Sequence, residues 1–490
     1  MKIRDLCNLH PSFAPVFPGM EEIMMLRRAL IMALLGLAAA GCSDDVDESG
    51  ACCLPDGICE QTGYDECANL GGGFKGVPSS CDADPCTSYC GSDANCGIGM
   101  YCHSSGECRE GCKTNPDTCA EGACDPTDHT CKEPTYCVAM REQIQQYIDE
   151  KIDTAVIAYT GLIVGVDTPD CGMSILTTGL ADLDPETPMR PEHILPIASI
   201  SKMFVAVTVL QLVEEGRISL DDTLSNWRTD LPNADSITIR HLLTHRSGLP
   251  CYWETNCAQI HWNSPELVWS AQDLLDCVEG ESPWFEPGAE FHYTNMNYLL
   301  LALIVEAITG NGFHEEIRSR ILHPLGMSHT FNHWGEEVTG QISRSYYKDA
   351  GGSWVDVTDK YHFSFYWAAG DMVSNAEDLL VWIRALVSGS VLREDTTAEM
   401  LTCIEVGGSA IVFDEWILDS YGFGNVCGRH DNAGRTRGHS GGNEMAVSEL
   451  HYSLDWNSSV VVLVNHSYSP NRDFQKPTVI DVFNILGEYR

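Results

Sequence analysis

Pro196-Ile197-Ala198-Ser199-Ile200-Ser201-Lys202, running into the apolar stretch from Met203 to Glu215 and stopped by Gly216, is the segment on which the reading of this chain turns. A glycine just past a periodic run marks a helix C-terminus. The run carries Phe204, Val205, Val207, Val209, Leu210, Leu212 and Val213, apolar on nearly every face, so the helix is expected in the middle of a domain. Ser199 falls at its start and Lys202, three residues on, shares its face, whereas Ser201 does not. A serine hydroxyl is a weak nucleophile at neutral pH unless a base takes its proton. A lysine serves as that base only when burial and the positive end of a helix dipole pull its pKa down. The pattern is S-x-x-K, and the chain holds a second copy at Ser345 and Lys348. That copy leads into Asp349-Ala350-Gly351-Gly352, a loop composition with no buried helix to hold the pair, so it serves as an internal control.

Two further elements give the first copy its context. Tyr293-Thr294-Asn295 stands between Pro287-Gly288 and an apolar helix expected over Tyr298 to Ile308. A phenol there can relay protons, and an amide can hold the lysine and a substrate carbonyl. Taken singly, a buried tyrosine and an asparagine helix cap would explain both. His439-Ser440-Gly441-Gly442 precedes strand-like Met445 to Leu454, a turn at Asp455 to Asn457 and a second strand, Ser459 to Asn465. An edge strand of such a hairpin can lend a backbone N–H to an oxyanion hole, with Ser199 supplying the other. By itself this quartet reads as a Gly-rich turn.

Outward from these motifs, composition divides the 490 residues unevenly. Residues 51–137 hold 15 of the 23 cysteines and few large aliphatic side chains. Residues 138–490 read as ordinary globular sequence, long enough to bury a core. They open with a helix-like stretch, Val138 to Lys151, and apolar runs Thr154 to Val166 and Met173 to Leu180 that read as strands. Six cysteines from Cys52 to Cys86 and eight from Cys90 to Cys131 form two even sets, read as small disulfide-stapled modules over 51–89 and 90–137. No C-x-x-C occurs among them, which counts against a zinc ribbon or a thioredoxin-like site. Cys137 and six later cysteines make an odd set, so at least one thiol is expected free or paired elsewhere.

The N-terminus reads as an export signal. Arg27-Arg28 precede an apolar run from Ala29 to Ala40, too short at about 12 residues for a membrane span of roughly 20. Residues 1–41 are therefore expected to be a signal peptide, with the true start at Met24 or Met25. Ala39-Ala40-Gly41-Cys42 resembles a lipobox, making Cys42 the expected lipidated residue and 42–50 a tether to a membrane facing the periplasm or cell exterior. A net charge of -41 would repel phosphate backbones and excludes nucleic acid as a natural partner.

With its three elements in order, the chain over about Pro196 to Asn465 resembles the superfamily of class C β-lactamases, D-alanyl-D-alanine carboxypeptidases and serine esterases. Segments 237–249, 367–379 and 421–424 look like family signatures outside the active site. The resemblance implies an α/β fold, an antiparallel sheet flanked by helices plus a helical lobe, here preceded by the disulfide-rich modules. It implies Ser199 as nucleophile, Lys202 as proton acceptor, Tyr293 as general acid/base and Asn295 as anchor of substrate and lysine. His439 and Gly441 would line the third wall, and Gly442 would complete the oxyanion hole. It implies no metal or other cofactor. Lactamases usually carry lysine where His439 stands, and relatives often have glycine where Ala446 stands. With histidine in place of that fixed charge, weaker carboxylate recognition is expected, favouring an ester or peptide substrate over the alternative of a true β-lactamase. A reading of another class is a surface-binding protein, whose cysteine-rich modules dock a cell-surface polymer while the hydrolase domain is secondary.

Overall fold

The computed structural model describes residues 134–153, 160–349, 351–407, 411–413, 416–466 and 475–490, together with seven short strands between Gly50 and Lys132. The signal peptide, Cys42 and the tether expected above lie outside the described residues, as does the disulfide pairing of the two modules. The chain divides into two compact units. In the first, within residues 1–131, Gly50–Cys53 pairs with Cys59–Thr62 and Gly73–Phe74, and Met100–Cys102 pairs with Cys108–Glu110.

The second unit, essentially residues 132–490, is built on one sheet of ten strands. After helix α1 (Thr135–Asp153) come β1 (Gly161–Thr168), β2 (Gly172–Leu183) and β3 (Glu186–Pro188). Further along are β4 (Ile404–Glu405), β5 (Trp416–Tyr421), β6 (Val426–His430), β7 (Gly434–Gly442), β8 (Val447–Ser453) and β9 (Ser458–Val464). The order is β3-β2-β1-β9-β8-β7-β6-β5-β4, antiparallel throughout, with Ile411–Phe413 added on β5. The β1–β9 pair joins residues about 300 positions apart, Leu162 opposite Val464. Every residue of β8 and β9 is buried; the apolar run Val460–Val464 of β9 suits a strand covered on both faces, while β8 buries the polar Ser448, Glu449 and His451. On one face, α1 and the helix Gln475–Glu488 supply Met140, Ile144, Ile148, Val479, Val482 and Phe483 to a core shared with Val164, Val460 and Val462.

The helical part holds α2 (Ser201–Glu214), α3 (Asn295–Thr309) and α4 (Ala376–Val387). Positions 201–210 of α2 are all buried, and Phe204 stacks on Trp382 of α4 with ring centroids 4.2 Å apart. Gly216 ends the segment at φ 69°, as expected of a helix terminator. The fold class is the one the resemblance implied. Residues 439–442, whose composition by itself reads as a Gly-rich turn, form the end of the nine-residue strand β7; β6 pairs with β7 only as far as Gly438, so this stretch is laddered to β8 alone. Glycine disguises that strand because it disfavours β structure, yet here it is needed for close approach. A Cβ at Gly438 would lie 1.8 Å from the Leu450 carbonyl oxygen, and one at Gly441 would lie 2.2 Å from that of Ile197.

Three disulfides fasten this unit: Cys137–Cys171, Cys257–Cys277 and Cys403–Cys427. Cys251 is left as a buried free thiol, which accounts for the odd cysteine.

Candidate active site

Ser199 sits not in α2 but in the single 3-10 turn before it, Ala198–Ile200. Ala198 has φ 45°, a left-handed conformation that costs a β-carbon-bearing residue of order 1 kcal/mol and persists only where surroundings enforce it. The enforcement is visible. Ser201 Oγ donates to the Ala198 carbonyl at 2.6 Å and accepts from the Met372 N–H at 3.2 Å, while the Ile197 N–H donates to the Met372 carbonyl at 3.0 Å. Ser448 Oγ on β8 donates to the Ile197 carbonyl at 2.9 Å. The nucleophile turn is thus pinned from the helical side and the sheet side together.

Lys202 is fully buried, with Nζ 3.0 Å from Ser199 Oγ and donating to the Ala369 carbonyl at 2.6 Å. Burial pulls its pKa down to about 7, with the neighbouring Cys251 thiol working against the shift. Near neutrality a large fraction of Lys202 is therefore an amine, whose lone pair can take the Ser199 proton. Nζ also lies 4.9 Å from the Tyr293 ring centroid. Tyr293 keeps its ring open to the cleft, 36% exposed, while the protein packed around it raises its pKa and a hydrogen bond with Ser199 opposes that rise. It is accordingly a neutral phenol able to donate. Burial drives the two groups in opposite directions, and so separates a base from an acid.

Asn295 opens α3, and the cap is Thr294, whose Oγ1 accepts from the Met296 N–H. Asn295 borders the cleft with its Oδ1 buried and without a hydrogen-bond partner among the described residues. The lysine-anchoring bond expected of Asn295 is made instead by Ala369. Ser199, Tyr293, Asn295, Gly441 and Gly442 all line one cavity of about 810 Å³. His439 does not. Its imidazole is buried, with Nε2 3.1 Å from Tyr421 Oη, Nδ1 2.6 Å from the Ser440 carbonyl and its ring centroid 6.2 Å from that of Tyr293. Alternation along β7 puts His439 on the face it shares with Gly441, towards the nucleophile turn, and Ser440 on the other face, where its Oγ meets Glu449. Among the described residues no cluster of His, Cys, Asp or Glu is arranged to hold a metal.

The three outlying signatures turn out to be the supports of this centre. In 237–249, His245 packs against Tyr293 with ring centroids 4.3 Å apart, and its Nδ1 accepts from the Thr294 N–H at 3.2 Å. Burial, then the Lys202 charge, holds its pKa well below the usual histidine value, consistent with a neutral ring. Segment 367–379 supplies the Ala369 carbonyl and Met372. In 421–424, Gly424 lies against α2 so closely that a Cβ would be 2.9 Å from the Lys202 carbonyl. Sequence reading missed the cleft residues Glu444, Trp253, Trp262 and Tyr366, which no local pattern marks.

The β-lactamase family model matches residues 153–484. The chain is 28% identical over 276 residues to penicillin-binding protein 4* of Bacillus subtilis (strain 168), covering 54% of this chain and 59% of that protein. It spans about half the length of the curated relatives it matches, 59%, 49% and 41% for three of them. Among solved structures, the D-amino acid amidase of Ochrobactrum anthropi SV3 complexed with D-phenylalanine superposes with a TM-score of 0.63 at 26% identity, covering 72% of this chain and 100% of that one. The penicillin-binding protein of Bacillus halodurans gives a TM-score of 0.56 at 25% identity, covering 66% and 95%.

Proposed function

The chain belongs to the β-lactamase family across residues 153–484, and from that premise we propose that it is a serine hydrolase, which acylates Ser199 and then hydrolyses the acyl-enzyme. The observation that carries this reading is the buried Lys202 Nζ, 3.0 Å from Ser199 Oγ with a pKa near 7. In the first step the Lys202 amine takes the Ser199 proton as Oγ attacks the carbonyl of an ester or amide. Backbone N–H groups of Ser199 and Gly442 receive the developing oxyanion, and Tyr293 passes a proton to the leaving group. In the second step the same groups activate a water molecule and release the acid. Export fits this reading, because the three disulfides belong to an oxidising compartment, and acylation of Cys42 would tether the enzyme there.

Ester or amide hydrolysis is favoured over β-lactam turnover by the composition of the third wall, where no lysine reaches the cleft from β7. Rapid-quench mass spectrometry of the protein with a short p-nitrophenyl ester tests the reading. A transient acyl adduct on the peptide holding Ser199 is expected, with a cephalosporin turned over far more slowly. Ester turnover without an adduct at Ser199 contradicts the mechanism, and faster cephalosporin turnover makes the protein a β-lactamase.

A further inference from the structure

We infer that the cleft selects acyl donors bearing a cationic amine near the reacting carbonyl, with Glu444 as the counter-charge; the inference rests on the proposed acylation of Ser199. Glu444 follows β7 by two residues and lines the same cavity as Ser199. Its carboxylate is held in place: Trp262 Nε1 donates to Oε1 at 2.8 Å and Tyr366 Oη donates to Oε2 at 2.6 Å. The backbone beneath it is fixed by Asn443 Oδ1, which accepts from the N–H groups of Met445 and Ala446 at 2.9 Å each. A carboxylate with one donor on each oxygen retains lone pairs for a third. Around it stand the rings of Trp253, Trp262, Tyr361 and Tyr366, whose faces favour a cation and disfavour an anion.

The basic side chain among the lining residues, Lys360, is exposed, with Nζ over the rings of Tyr347 and Tyr361 at 5.6 and 5.3 Å. It is the residue that would favour a carboxylate if the inference were wrong.

The test uses three phenylalanine p-nitroanilides, in both enantiomers, alike except that the α-nitrogen is free, N-acetylated or N-succinylated. They are compared at pH 7, where an α-amine is largely protonated. The free-amine substrate should exceed the acetylated one by about tenfold in kcat/KM and the succinylated one by more. Glu444→Gln should erase most of that preference, and Glu444→Lys should turn preference towards the succinylated one. Labelling of Ser199 by a fluorophosphonate, which carries no amine, is followed in the wild-type protein as the control for the acylation step. Normal labelling combined with equal rates, or with a preference for the succinylated substrate, overturns the inference and leaves the hydrolase reading standing. A wild-type protein that no fluorophosphonate labels at Ser199 overturns both.

Discussion

Ser199–Lys202 and Ser345–Lys348 are the same four-residue pattern in two settings, and the structure treats them in opposite ways. The first pair spans the junction of a 3-10 turn and a buried helix, where three residues of separation bring Nζ within 3.0 Å of Oγ. The second runs into the strand Tyr346–Lys348, where odd spacing sends side chains to opposite faces and three residues cover roughly 10 Å. Ser345 is buried and tied into the backbone, with its N–H donating to Thr358 Oγ1 at 2.7 Å. Lys348 is exposed, its Nζ 5.2 Å from the Trp354 ring centroid. Lys348 stays at the surface, whereas burial pulls the pKa of Lys202 down to about 7. The difference teaches that the motif acquires chemistry from secondary structure and burial, not from residue identity.

The sharpest way to break the comparison is to remove each serine. Ser199→Ala should lower kcat for a p-nitrophenyl ester by at least about 10⁴-fold, and Ser345→Ala should leave it within about twofold. Lys202→Ala should cost nearly as much as Ser199→Ala, and Lys348→Ala nothing measurable, with Ser199→Ala/Lys202→Ala no worse than the worse single variant. Tyr293→Phe, which keeps the packing against His245 and removes the proton donor, should cost about 10² to 10³-fold in kcat with a small effect on KM.

Ionisation gives a smaller but more diagnostic effect. Because Lys202 works as the amine, kcat/KM should rise about tenfold per pH unit below its pKa and level off above about 7. The same shift sets a stability slope. Between about pH 7 and 10.5 the unfolded chain holds a proton on Lys202 that the folded one lacks, so stability contributed here rises with pH across that window and is lowest below it. Lys202→Met should therefore raise the unfolding free energy at pH 6 by up to about 5 kcal/mol of relieved burial, and by much less at pH 10, as read by denaturant melts at the two pH values. Equal gains at both pH values would place the lysine in an environment no different from that of Lys348.

Much of this centre was legible in the chain because its determinants are local. The apolar run after Ser199, the stop at Gly216, and the apolar stretch after Asn295 each encode a helix and its ends within about 15 residues. What was not legible depends on contacts distant in sequence. The Ala369 carbonyl that holds Lys202 is 167 positions away from it, and nothing in a backbone acceptor shows in a side-chain pattern. Strand phase is invisible within the Gly-rich run, and only the pairing of Gly441 with Ser448, whose Oγ reaches the Ile197 carbonyl, fixes that His439 and Gly441 share the face towards the nucleophile turn. Glu444 has no periodic neighbour at all, and its partners lie 182 and 78 residues away.

The central claim is that one of two identical motifs is a nucleophile because its lysine is buried against it. Incubating the wild-type protein with a fluorophosphonate and mapping the adduct by peptide mass spectrometry tests this directly. A stoichiometric adduct on Ser199, with labelling rate rising through pH 7 and Ser345 unmodified, is the result the account predicts; an adduct on Ser345, or a rate at Ser199 that Lys202→Ala leaves unchanged, would contradict it.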